Sequence, residues 1–266
     1  MKAWVDYMQK HSVHNLWNTG YDFGDWLYYQ SGDDDQGYAT VTNRYLIAQC
    51  FYAHSIQLLI DAAAVLGNGE DSVTYTGLLK DVKKAFLDEY VTPDGRLTSP
   101  SQTAYVLALN FDMLPDSLRA ADAERLVDNI HHYNDHLTTG FLGTPYLCFV
   151  LTRFGYTDIA YKLLLQDTYP SWLYPVKMGA TTIWERWDGI RPNGTFEDAG
   201  MNSFNHYAYG AIGDWMYRVV AGIDESVPGY RKIVVKPHPG GALTSASADL
   251  KTYYGTAGVH LSLIHI

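Results

Sequence analysis

The chain has 266 residues, 47% of them apolar and 18% charged. That allows one large domain with a sizeable core and excludes global disorder. Its 29 acidic and 19 basic side chains give a formal charge of −10. With no Lys/Arg cluster, this argues against nucleic acid and against anionic membrane surfaces as partners. No apolar run approaches the roughly 20 residues of a membrane span, and Met1-Lys2-Ala3-Trp4 lacks the apolar stretch of a signal peptide. Cys50 and Cys148 lie in apolar stretches without CxxC spacing, so buried free thiols are expected.

Apolar spacing near 3 and 4 predicts a helix over 40–67, stopped by Gly67, and another over 72–90, stopped before Thr92-Pro93-Asp94-Gly95. Shorter helices follow at 101–112, 118–133, 143–154, 157–167 and 202–221. The last has Asn202 or Ser203 as its expected cap and Gly222 as its stop. Tight turns alternate with longer loops at 17–39, 92–100, 134–142 and 168–201. Helical hairpins with elaborated loops at one end describe an α/α toroid with a ligand cleft among those loops; an irregular helical bundle is the alternative.

The pattern changes after 222. Lys232 to Pro237, Ala246 to Leu250 and Val259 to Leu263 read as strands, so a β-rich domain is expected to begin near 230. The expected division is 1–229 helical and 230–266 β. Three short strands without closing partners describe only the start of such a domain.

Chemistry concentrates in Trp184-Glu185-Arg186-Trp187-Asp188. Two indoles around a carboxylate describe a cleft that stacks a sugar ring while the carboxylate takes a proton. A buried cluster in which Arg186 neutralises Glu185 fits the same residues. Asp25 beside Trp26 repeats the theme, and 22 Tyr, 7 Trp and 9 Phe suit either carbohydrate binding or semi-buried packing. Asp33-Asp34-Asp35 lacks the spaced ligands of a calcium loop and reads as solvated. In Thr138 to Pro145 the glycines read as a sharp turn before a ligand approach. His206 opens a predicted helix 21 residues after Glu185, where a helix start can face a polar ligand. His132 and His136 have metal-ligand spacing but no third ligand. No metal or cofactor is expected.

Several of these segments, taken together, resemble a family. Phe23 to Leu27, Gln102 to Tyr105, Leu137 to Thr144, Gly179 to Trp187, Asn202 to His206 and Lys232 to Pro237 stand in the order of the bacterial α-L-rhamnosidases of glycoside hydrolase family 78. The resemblance covers nearly the whole chain. It implies a mainly α fold, an incomplete (α/α)6 barrel followed by the truncated start of a β-sandwich. It implies inverting hydrolysis of terminal α-L-rhamnose from glycosides or polysaccharides, with Glu185 as general base and His206 in contact with the sugar. Asp25 and Trp26, with Trp184 and Trp187, are the other expected substrate contacts. The family's general acid lies in an acidic motif with no match here, so the chain is expected to be a fragment that hydrolyses very slowly alone. Leu261 to Ile266 depart from the family's next strand. A toroid glycosidase of other sugar specificity, or a non-catalytic sugar-binding scaffold, are the rival readings.

Overall fold

The structure, a computed structural model, describes residues 1–30 and 38–263. The Asp33–Asp35 run lies outside the described residues. The chain divides into two compact units, Met1–Val150 and Leu151–Ile266.

In the first unit, α1 (Lys2–His11) precedes α2 (Arg44–Val65) and α3 (Gly69–Tyr90). Helix α1 was not anticipated: only Val5 and Met8 are buried, and the exposed Trp4 and Tyr7 hide its apolar stripe. Helix α2 starts at Arg44, not 40, because the Asn43 side chain accepts the Tyr45 and Leu46 N–H groups at 2.9 and 3.3 Å. Such a cap satisfies donors the helix leaves open. Asn68 caps α3 likewise, and Glu70 and Asp71 oppose its positive end. By length and composition α2 is apolar enough to cross a membrane, contrary to the expectation from run length; half of that apolar window is buried inside the protein.

Helices α2 and α3 pack together, and α4 (Gln102–Asn110) packs on α5 (Asp116–His132). Gln102 to Leu109 are all buried, so α4 is the unit's central helix. Each fully buried Leu or Val there stabilises by about 1.5–3 kcal/mol. Cys50 and Cys148 are buried free thiols, and burial holds both well above the usual thiol range.

Helix α6 (Thr144–Arg153) leads into the second unit, where α7 (Thr157–Leu165) and the one-turn α8 (Leu173–Lys177) follow. The helix expected over 202–221 is a correction. Residues 202–207 are irregular, and helical turns run from Ala208 through α9 (Ile212–Trp215) to a π-type turn, Met216–Val220. The apolar pattern is genuine, but the backbone of 203–206 bonds to another loop and is unavailable for a helix.

The β region also begins earlier than 230. Strand β1 (Ile223–Val227) pairs antiparallel with β2 (Lys232–Val235), Ile223 opposite Val235, with a bulge between Glu225 and Val227. Its Asp-Glu-Ser sequence lacks strand signals. Strands β3 (Ser245–Thr252) and β4 (Gly255–Ser262) form a hairpin closed by Tyr253-Tyr254, extending both predicted strands inward. The described residues thus hold two separate two-stranded sheets.

Gly222 joins helix to strand. Its φ is +74°, and a β-carbon there would lie 2.2 Å from the Pro237 nitrogen. Gly222→Ala is therefore expected to destabilise the second unit by about 2–5 kcal/mol, combining left-handed backbone strain with overpacking. Urea unfolding followed by circular dichroism would measure it; a loss below about 0.5 kcal/mol would contradict this account.

Candidate active site

Two loops of the second unit, 182–190 and 202–209, are zipped together. The Glu185 N–H donates to the Ser203 carbonyl at 2.9 Å, and the His206 N–H to the Ile183 carbonyl at 2.9 Å. The Thr182 hydroxyl donates to the Phe204 carbonyl, and the Asn202 amide to the Gly189 carbonyl at 2.9 Å. The zip brings Glu185 and His206, 21 residues apart in sequence, onto adjoining backbone.

The Ser203 N–H also donates to Glu185 Oε2 at 2.8 Å. Glu185 is half-buried. Among the described residues, that is its only side-chain hydrogen bond, so Oε1 is left to accept from a ligand or water.

Arg186 does not neutralise Glu185. Its Nε donates to Asp188 Oδ1 at 2.8 Å and its Nη2 to Asp188 Oδ2 at 3.3 Å and Glu197 Oε1 at 3.4 Å. Arg191 pairs with the other oxygen of Glu197. Burial works to lower the Arg186 pKa, but Asp188 and Glu197 outweigh it and hold the guanidinium above its usual range. These partners were missed in sequence, although Asp188 stands only two residues on.

The two indoles are buried. Trp184 and Trp187 are each 4% exposed. Trp184 packs edge-on against Phe204 at 5.1 Å. Trp187 stacks on Tyr209 at 3.8 Å and meets Trp172 edge-on. The cavity beside them, bordered also by Arg186, has a volume of about 30 Å³. That admits a water or two and no sugar ring. Their ring faces are covered by protein, because three further aromatics from 172–209 converge on them.

His206 sits in a loop, not in a helix start. Its Nδ1 accepts from the Ala208 N–H at 3.3 Å, and its ring stacks on Tyr207.

In the first unit, Asp25 is 4% exposed. Its Oδ1 accepts from the Leu142 and Gly143 N–H groups at 2.7 and 3.1 Å. Its Oδ2 accepts from the Gly140 N–H at 2.7 Å and from the Thr103 hydroxyl. Four donors fill the acceptor sites of a carboxylate, so Asp25 clamps the 140–143 loop. The glycines of 138–145 serve this clamp. A β-carbon on Gly140 would lie 2.3 Å from the Trp26 carbonyl oxygen, and one on Gly143 2.3 Å from Thr103 Oγ1. The close approach is to the chain itself. Trp26 is half-buried and meets Phe23 edge-on at 5.0 Å.

The three histidines have separate partners. His131 bonds Asp135 at 2.5 Å, His132 stacks on Tyr38, and His136 bonds the Tyr133 carbonyl at 2.9 Å. Among the described residues no group of three or more His, Cys, Asp or Glu is arranged to hold a metal.

Comparison with known proteins follows the same lines. The bacterial alpha-L-rhamnosidase 6 hairpin glycosidase domain matches residues 1–220, and the bacterial alpha-L-rhamnosidase C-terminal domain matches 222–263. An alpha-L-rhamnosidase of Streptomyces avermitilis is 46% identical over 253 residues, 95% of this chain and 23% of that protein. One of Formosa agariphila is 43% identical over 96% of this chain and 27% of its own length. The crystal structure of the Streptomyces avermitilis enzyme complexed with L-rhamnose superposes with a TM-score of 0.91 at 45% identity, covering 98% of this chain and 24% of that one. The Aspergillus terreus enzyme gives a TM-score of 0.88 at 36% identity, over 94% and 29%. The chain thus spans about a quarter of the length of the relatives it matches. Motif order, helical architecture and these matches agree: the chain belongs to the bacterial α-L-rhamnosidase family, with the six-hairpin glycosidase fold of that family's catalytic domain.

Proposed function

We propose that this chain contributes the general base to hydrolysis of terminal α-L-rhamnosides by an inverting displacement. One observation carries the reading: Glu185 is a half-buried carboxylate with one oxygen fixed by the Ser203 N–H, the other open, and the neighbouring cation paired elsewhere. In that state Oε1 takes a proton from water while the water oxygen attacks the anomeric carbon. The leaving oxygen takes its proton from a general acid. Inversion needs the two carboxyl groups roughly 6.5–9.5 Å apart. The family resemblance assigns that acid to a segment with no match in this sequence, so no residue here is given the role.

His206, on backbone adjoining Glu185, contacts the sugar, and Trp26 offers a half-buried indole face on which a sugar can stack. Trp184 and Trp187 support the Glu185 loop. The substrate is a rhamnose-terminated glycoside or polysaccharide.

The test replaces the corresponding quarter of the Streptomyces avermitilis relative with this chain. The chimera is supplied with a nitrophenyl α-L-rhamnoside, and proton NMR follows the first sugar released. The β anomer is expected to appear first and the α anomer only by later mutarotation. Initial release of the α anomer, or preference for another nitrophenyl glycoside, overturns the reading.

A further inference from the structure

We infer that Asp188 and Glu197 are positioning residues for Glu185: they hold the Arg186 guanidinium away and keep that carboxylate free of an ion pair. The inference rests on reading Glu185 as the base. Arg186 is its sequence neighbour, and a long, flexible arginine beside an open carboxylate has a strong tendency to pair with it in a two-pronged contact. A cation within about 4–6 Å favours the charged form of a carboxylate and lowers its proton affinity by about 1–3 pH units. A base so weakened accepts a proton from water less readily.

The local structure opposes that pairing. Arg186 is engaged on two sides, by both oxygens of Asp188 and by Glu197 Oε1. Glu197 is presented by a small hairpin: its N–H donates to the Gly189 carbonyl, Arg191 and Thr195 pair across the turn, and Ile190 bridges to Phe196. Asn193 braces the turn by accepting from the Thr195 N–H at 3.0 Å. The charges also balance within the cluster. Arg186 and Arg191 match Asp188 and Glu197, so Glu185 remains the unmatched charge. The facing loop 202–209 adds His206, Tyr207 and Tyr209 as titratable groups, none of them a carboxylate. Removing either acidic partner leaves Arg186 and Arg191 with one carboxylate between them, and Glu185 is the nearest other carboxylate to Arg186 in sequence.

The experiment is a carbon-13 NMR titration of the Glu185 carboxyl in this chain, labelled at glutamate and assigned with Glu185→Gln. In Glu197→Gln the midpoint is expected to fall by about one pH unit relative to wild type. In the double variant Arg186→Met, Glu197→Gln it is expected to return to within about 0.3 unit. Loss of one charge acting through water at about 8–10 Å would shift it only about 0.3–0.4 unit. A fall no larger than that, or one that persists in the double variant, overturns the inference. Asp188→Asn carries the same prediction from the other side of the guanidinium and decides the matter if Glu197→Gln does not fold. The reading of Glu185 as base fails separately, if Glu185→Gln retains turnover in the chimera; the titration still reports whether the cluster holds Arg186 off.

Discussion

Glu185→Gln in the chimera is expected to lower kcat by about 10²–10⁴-fold, the range that general acid–base groups contribute. The amide has the shape of the carboxylate, and its oxygen can still accept from the Ser203 N–H that holds Oε2 at 2.8 Å. The zip between the two loops uses backbone groups and the Thr182 and Asn202 side chains, and is untouched. KM is therefore expected to move little, which separates loss of a base from loss of the pocket. Glu185→Gly extends the argument. It removes the carboxylate and leaves room for a small anion. Azide needs no deprotonation, so it is expected to restore turnover and to yield the β-L-rhamnosyl azide, with the aglycone leaving on the general acid's proton. A Glu185→Gln variant with wild-type kcat would sink the assignment. So would an azide product of α configuration, because attack would then come from the wrong face.

The Glu185 segment shows what a sequence can and cannot disclose. The indoles and the carboxylate marked the right loop. Their facing was hidden, because the burial of Trp184 and Trp187 depends on Trp172, Phe204 and Tyr209 arriving from elsewhere. Adjacency suggested Glu185 as partner of Arg186; the structure gives it Asp188 instead, together with Glu197, which a hairpin brings back from eleven residues on. In the first unit α2 to α5 were legible from apolar spacing, with Asn43 and Asn68 moving the starts of α2 and α3, whereas α1 was not. The apolar stretch after 202 misled, since the backbone of Ser203 and His206 pairs with Glu185 and Ile183 instead of entering a helix. Asp25 was hardest. Its four donors lie 78 to 118 residues away, at a separation where local pattern carries no information.

Asp25→Ala is expected to be the most destabilising single change in the first unit. Removing the carboxylate leaves the N–H groups of Gly140, Leu142 and Gly143 without their acceptor. Each buried unpaired donor costs about 1–3 kcal/mol. A total loss of at least about 3 kcal/mol follows, or a fall in Tm of roughly 6 °C or more for a chain of this size. Asp25→Asn should be milder. Turned so that its amide faces Thr103, whose hydroxyl can accept, it orphans only the Gly140 N–H. Its pH dependence tests the electrostatics of the site. Burial pushes the Asp25 carboxyl above its ordinary 3.8, against the pull of its four hydrogen bonds. A carboxyl raised in the folded state stabilises fully below its unfolded value, and that contribution is lost as pH rises through the folded value. The stability difference between wild type and Asp25→Asn is therefore expected to shrink as pH climbs above about 4, by at most about 1.4 kcal/mol per pH unit. Urea unfolding of both proteins across that range measures it. A difference that grows with pH would mean that the four donors outweigh burial, and that the clamp is strongest when charged.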